Sequence, residues 1–454
     1  MPDIVGTRSD ATRLALLGGA PVGAPERPAF PRITDRARRR VDAALADGAM
    51  PEVANRLVGL SNAHPAIGEA EAAIAAWHGV DRCLTTSTGE ASLHACLIGL
   101  EITGGAEVIT TPYTYGCSTS PILHNDAVPV FVDVDPVTGL LDPAAVEAAI
   151  GPRTEAILVT HIYGQPADMT ALRAIADRHG LALVEDGSQA HGARHRGTRV
   201  GAFGDAAGFS CMGGKLLATT EAGYMVTRRD DVYWKTVISC QHAGNAEVPG
   251  RAAEAGFPSD LNPFVDSLIY SYRINVLSAI LLTEQLAKLD EENANRTRNR
   301  DALVGMLADV PSISAPVYPD DDEPVYHIVS LNFEPEHAGI SKATYLKALA
   351  AEGAPVFSYV ETPLHRLERL RPQTRAPRVM WTDRITRAGI DYSALELPGC
   401  DHKVERSIEM SWNWIDDDPA AMRRLADCFE KVDAQLPALR EHEQRHGHGA
   451  LSAG

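Results

Sequence analysis

The stretch LALVEDGSQAHGA, residues 181–193, decides the fold. Its first four residues are apolar, and Glu185, Asp186 and Gly187 follow. A short apolar run of this kind suits a strand buried on both faces of a parallel sheet. An aspartate just past such a strand stands where open α/β sheets bind their ligands. Upstream, MTALRAIADRHG (169–180) has the period of an amphipathic helix ended by Gly180. Before it come three more apolar runs, AEVIT (106–110), VPVFVDV (128–134) and EAILVTHI (155–162). EAEAAIAAWHGV (69–80) and ASLHACLIGL (91–100) read as helices. The alternation of strand and helix predicts an α/β chain with a doubly wound, mostly parallel sheet.

Past residue 263 the pattern changes. INVLSAILLTEQLAKLDEENANRTRNR (274–300) predicts one long helix, with apolar residues at Ile274, Leu277, Leu281, Leu286 and Leu289. A strand HIVSLNF (327–333), a helix SKATYLKALAAEG (341–353) and a last helix near 418–436 suggest a smaller α+β domain. YPDDDEP (318–324) reads as a turn or mobile connection, and the His- and Gly-rich end EHEQRHGHGALSAG as a solvated tail.

The chain has 454 residues, 45% hydrophobic and 22% charged, which is ordinary for a globular protein with ample core. Its net charge of −18 repels phosphate backbones and anionic lipid, so nucleic-acid and membrane partners are not expected. The seven cysteines are scattered without a C-x-x-C pair, which fits free thiols in a reducing compartment. No leader and no membrane-length apolar run is read, so a cytoplasmic location is expected, and no metal site.

What lies past the strand ends is a specific set. Asp186 follows one strand, Tyr115 follows AEVIT, and a Thr88-Gly89 turn feeds a helix. Lys215 sits in FSCMGGKLLATTEAG (209–223), between glycines and apolar residues, five positions after Ser210. Pyridoxal phosphate asks for this combination. Its aldehyde needs an amine and its ring nitrogen a carboxylate. Its phosphate needs helix N-terminal amides and hydroxyls, and its ring an aromatic face. Each residue taken alone has a plainer reading: a surface lysine, a turn-capping aspartate, a core tyrosine.

Eight segments in order carry a resemblance: LALLGGAPV, GAEVITTPYTY, VPVFVDVD, THIYGQPADM, VEDGSQAHGA, GTRVGAFGDAAGFSCMGGK, SYRIN and TPLHRL. Together, over roughly residues 14–436, the chain resembles the DegT/StrS-like sugar aminotransferases, fold-type I pyridoxal-phosphate enzymes. The resemblance implies Lys215 as the Schiff-base lysine, Asp186 on the pyridine nitrogen and Gln189 beside the phenolic oxygen. It implies Tyr115 stacked on the ring, and Ser210 with the amides of Gly89, Glu90 and Ala91 on the phosphate. Ser271 in SYRIN stands where relatives lend an asparagine across a dimer, so a homodimer with its site at the interface is expected. Glu90 departs from the family's small residues; beside a phosphate its carboxyl must either point away or serve the substrate side. His191 reads as a structural hydrogen-bonding residue, and His242 and His365 match positions at the pocket mouth. Trp412-Asn413-Trp414 has no reading.

The expected domains are a disordered arm 1–12, a large pyridoxal-phosphate domain 13–262, a bridging helix with a small domain 263–439, and a disordered tail 440–454. The expected activity is transfer of an amino group from an amino acid, glutamate or glutamine, to a keto-sugar, keto-cyclitol or related ketone in biosynthesis. Two alternatives are a dehydratase or deoxygenase on the same fold, which typically replaces the lysine by histidine, and a non-catalytic regulatory binding protein, which should have lost Lys215, Asp186 or Ser210.

Overall fold

In the computed structural model the described residues are 12–46, 64–241, 268–377 and 390–447, with a few isolated positions between them. The arm before residue 12, the expected domain boundary at 262 and His242 lie outside them. The four expected apolar runs are strands β2 (Glu107–Thr110), β3 (Val128–Phe131), β4 (Thr154–Thr160) and β5 (Ala182–Asp186), joined by β1 (Arg82–Thr86), β6 (Ala206–Ser210) and β7 (Gly223–Thr227). They form one seven-stranded sheet in the order β1-β7-β6-β5-β4-β2-β3. The pairs from β6 through β5, β4 and β2 to β3 are parallel, whereas β7 runs antiparallel to both β1 and β6.

Successive strand residues point to opposite faces, and each face has its own core. Leu158 and Val184 pack with Leu93, Val232 and Ile238 of helices Gly89–Gly99 and Asp230–Cys240. Ile157, Val159 and Leu183 pack with Met169, Leu172 and Ile175 of helix Met169–His179. Phe209 and Tyr224 stack at 4.7 Å on that second face, beneath helix Pro65–His78 and the long helix Val276–Met306. This double burial explains the near-continuous apolar runs.

A second sheet, ordered β8-β9-β11-β10, contains β8 (Ile313–Ser314), β9 (Ile328–Phe333), β10 (Val356–Phe357) and β11 (Ser407–Ser411). Helices Lys342–Glu352 and Pro419–Ala434 cover it. The long helix joins this core too, through Leu303 and Leu307 just past its end. Trp412, wholly buried, donates its indole N–H to the Arg296 carbonyl of that helix at 2.9 Å, and the Asn299 amide donates to the Trp414 carbonyl at 3.2 Å. The unread Trp-Asn-Trp segment therefore bolts the small sheet to the bridging helix.

Two expectations are corrected. YPDDDEP does turn at Asp320–Asp321, one of its two expected readings, but it is docked rather than loose: Asp322–Glu323 pairs with Arg194–His195 and Asp322 meets the His195 ring at 2.6 Å. The stretch expected to begin a disordered tail at 440 is helical to His446, since helix Leu436–His446 buries Leu436 and Leu439 and Glu443 accepts from the Ser341 amide at 3.1 Å. At the other end Leu14 joins the small core, and the fully buried Glu352 accepts from the Ala15 amide (2.7 Å), the Val22 amide (3.0 Å) and Lys431 Nζ (2.8 Å).

Candidate active site

A cavity of about 480 Å³ opens at the carboxyl ends of β5 and β6, beside the start of helix Gly89–Gly99. Thr88, Gly89, Glu90, Tyr115, Asp186, Gln189, Ser210 and Lys215 share its wall. Parallel strands bring Asp186 and Ser210 to one sheet end: β5 and β6 pair in register through Asp186 and Gly208. Lys215 follows on a tight loop whose amide donates to Met212 O at 2.8 Å, closed by Thr219 N donating to Cys211 O at 2.8 Å.

Asp186 is buried and held from two sides. Ser118 Oγ donates to its Oδ2 at 2.6 Å, and the Ser188 amide donates to Oδ1 at 3.0 Å. The second is an Asx turn, so the Asp-Gly-Ser wording carried its signal. Ser118, three residues past Tyr115 in the chain, carried none. Burial pulls the Lys215 ammonium below its ordinary value, while Asp186 opposes that shift. A lysine so desolvated is readier to attack a carbonyl.

Gly89 must approach β6 closely; a Cβ there would collide with the Ser210 side chain and lie 2.7 Å from its Cα. Thr88 caps this helix by accepting from the Ala91 amide at 3.0 Å. The Ala91 amide is engaged by this cap, while Gly89 and Glu90 stand at the wall. The Glu90 carboxyl turns aside: Ser120 Oγ donates to it, and Cys117 Sγ lies 3.8 Å away. Tyr115 is 63% exposed, so it is no core residue and its ring stands at the cavity wall.

Gln189 is buried, accepting from the Tyr163 amide at 2.8 Å and donating to the Tyr359 hydroxyl at 3.0 Å. Tyr359 and His327, from the second sheet's region, also line the cavity and were not singled out in the sequence. Ser271 is exposed and is not at this wall. His365 is buried away from it, and His191 contacts Cys211 Sγ at 3.9 Å, a packing role.

These donors suit pyridoxal phosphate. A carboxylate faces one end, a helix N-terminus with a hydroxyl faces the other, and a desolvated amine lies between sheet and solvent. A lysine and a strand-end aspartate set across such a mixed sheet, with a smaller α+β unit behind, place the molecule among fold-type I pyridoxal-phosphate enzymes. The family model for the DegT/DnrJ/EryC1/StrS aminotransferase family matches residues 54–394. The chain is 34% identical over 422 residues to the L-glutamine:2-deoxy-scyllo-inosose aminotransferase of Streptomyces paromomycinus, covering 92% of this chain and 97% of that one. It is 33% identical over 432 residues to the L-glutamine:scyllo-inosose aminotransferase of Streptomyces griseus, covering 92% and 99%. Among solved structures, 3-amino-5-hydroxybenzoic acid synthase superposes with a TM-score of 0.74 at 26% identity, covering 91% of this chain and all of that one. The chain belongs to the DegT/DnrJ/EryC1/StrS aminotransferase family, and it is a pyridoxal-phosphate-dependent aminotransferase. Among the described residues no helix is long and apolar enough to cross a membrane.

Proposed function

We propose that this aminotransferase moves an amino group from glutamine to a keto-cyclitol of the scyllo-inosose type. The observation that carries the reading is Lys215 and Asp186 on one cavity wall, in a chain related over nearly its full length to glutamine:inosose aminotransferases. A polyhydroxylated ring also suits a cavity walled by Ser188, Gln189, Glu221, His327 and Tyr359.

Bound there, pyridoxal phosphate carries the amino group between the two substrates and draws off the electrons of the broken C–H bond. Lys215, whose ammonium burial makes easier to deprotonate, is the residue that would hold the cofactor through its aldehyde. As a free amine it would also serve as the base that takes the proton from the substrate's α carbon and, as the ammonium, as the acid that gives it back. Asp186, oriented by Ser118 and the Ser188 amide, keeps the proton on the ring nitrogen. The amides of Gly89 and Glu90 and the Ser210 hydroxyl bind the phosphate with the positive end of the helix behind them. Tyr115 would offer an aromatic face to the ring, and Gln189 a donor to the phenolic oxygen.

The enzyme works as a homodimer in this reading. Tyr115 and Met212 at the cavity wall are 63% and 42% exposed, and Leu268 and Tyr270 are exposed as well, an apolar surface that a second copy would cover. Ser271 would then serve the cavity of the other copy. The test is to load the purified enzyme with cofactor, supply glutamine and scyllo-inosose, and follow amino-cyclitol by mass spectrometry. Product with 2-deoxy-scyllo-inosose but not scyllo-inosose would keep the class and move the substrate by one hydroxyl. No product with either, while a keto-sugar is aminated, would refute the cyclitol assignment. Light scattering that finds a monomer in the loaded enzyme would refute the dimer.

A further inference from the structure

One buried carboxyl in the second sheet has no part in the chemistry above. Glu409 on β11 is wholly inaccessible to solvent. Its Oε1 accepts from the Tyr163 hydroxyl at 2.9 Å, and its Oε2 accepts from the Tyr359 amide at 3.0 Å. The Tyr113 and Ser330 hydroxyls stand at 3.5 Å from Oε1. Both directly held tyrosines reach on to Gln189. The Tyr163 amide donates to Gln189 Oε1 at 2.8 Å, and Gln189 Nε2 donates to the Tyr359 hydroxyl at 3.0 Å. The connections close into a ring: Glu409, Tyr163, Gln189, Tyr359 and back to Glu409. One side of that ring, Gln189 and Tyr359, is cavity wall; on the other, Glu409 belongs to the second sheet and Tyr163 follows β4 of the first.

This ring removes an ambiguity inherent in a glutamine. A side-chain amide can turn over and exchange its donor and acceptor ends. Here a backbone N–H faces one end and can only donate, so that end must be the oxygen. The other end must be Nε2, which has two hydrogens, and Tyr359 takes one of them. We propose that Glu409 is a positioning residue: through Tyr163 and Tyr359 it fixes the Gln189 amide so that its second N–H is presented to the cofactor's phenolic oxygen. The inference rests on the role given to Gln189 above. It makes the small sheet part of the cofactor site's electrostatics without touching substrate.

The experiment uses the loaded full-length enzyme and reads the pH midpoint of the cofactor's visible band, together with pyridoxal-phosphate affinity. Glu409→Gln keeps the size, and Tyr359→Phe deletes a single hydroxyl. Losing an aligned donor leaves more negative charge on the phenolic oxygen, so the nearby proton is held more tightly and the midpoint rises. One hydrogen bond corresponds to a rise of about 0.5–1 pH unit and a weakening of about three- to tenfold in affinity. Gln189→Ala should shift the midpoint the same way, and Glu409→Gln added to Gln189→Ala should change nothing further. If Gln189→Ala moves the midpoint while Tyr359→Phe and Glu409→Gln do not, the positioning role is refuted. It is refuted equally if Glu409→Gln acts in full on the Gln189→Ala background. A Gln189→Ala midpoint equal to wild type removes the role of Gln189 itself and the inference with it. Should Glu409→Gln fail to fold, Tyr359→Phe decides, since it leaves the Glu409 carboxyl and its bond from the Tyr359 backbone in place.

Discussion

Gly89→Ala sets two effects of opposite sign against each other. Gly89 is the first residue of helix Gly89–Gly99, where alanine's helix propensity would add up to about 1 kcal/mol. The new Cβ, however, would meet β6: it would lie 2.7 Å from Ser210 Cα and 3.0 Å from Ser210 N. These are backbone atoms of a paired strand, so no rotamer change relieves the contact. Overpacking of this kind costs about 1–3 kcal/mol. A net loss of about 1–2 kcal/mol is expected, with the helix start pushed off the strand. Because that start also carries the amides assigned to the phosphate, pyridoxal-phosphate affinity should fall about tenfold or more. Gly68 in helix Pro65–His78 is the matched control, since a Cβ there meets nothing within 4 Å. Gly68→Ala should therefore raise stability by up to about 1 kcal/mol. Urea unfolding of the cofactor-free proteins and absorbance titration with pyridoxal phosphate measure both quantities. A Gly89→Ala protein as stable as Gly68→Ala, with wild-type cofactor affinity, would refute the close-approach argument.

Other expectations follow from single contacts. Lys215→Ala removes a desolvated ammonium, so the fold should keep its stability in urea while borohydride no longer fixes the cofactor to the chain; persistence of the adduct would show that another amine does the work. Glu71, buried, is pushed up to about 7 from 4.5 by desolvation, although Thr85 N and Oγ1 each donate to it at 2.9 Å. The folded state thus binds the extra proton between those two values, and stability should fall by up to roughly 3 kcal/mol as pH rises from about 4.5 through about 7. Glu71→Gln should flatten that part of the profile, and an unchanged slope would exclude Glu71 as its source. Trp412→Phe removes a buried indole donor to the Arg296 carbonyl and leaves space where the larger ring stood, and should cost about 2–3 kcal/mol in urea. Trp414→Phe should cost less, because the Trp414 ring nitrogen has no hydrogen-bond partner among the described residues; the reverse order would contradict the assignment.

Burial on both faces made β2 to β5 readable, because each strand is a run of apolar residues with nothing to confuse it. β1 and β7 were not singled out: RCLTT is short and half polar, and GYMVT follows the lysine loop, so their antiparallel pairing, Arg82 to Thr227, lies beyond any local signal. Within the site, Asp186 and Lys215 were legible because a strand end and a glycine-rich turn mark them, whereas Gln189 and Ser210 entered through the family resemblance. Ser118 and Tyr359 were not, since each reaches the cavity through contacts 68 and 170 residues away in sequence. The cap at Thr88 was also unread: a threonine before a helix is an N-cap, and here it takes the Ala91 amide. The acidic YPDDDEP loop looked mobile because its partner, His195, is 127 residues distant from Asp322.

The Glu352 clasp has a consequence for synthesis. The amides of Ala15 and Val22 are bound by a side chain more than three hundred positions later, which is itself braced by Lys431. A ribosome must therefore deliver most of the polypeptide before its early segment finds an acceptor. Until then the LALLGGAPV stretch travels with its leucines uncovered, a natural target for a chaperone. The Ala15 and Val22 amides can be locked in place only after Glu352 has been made.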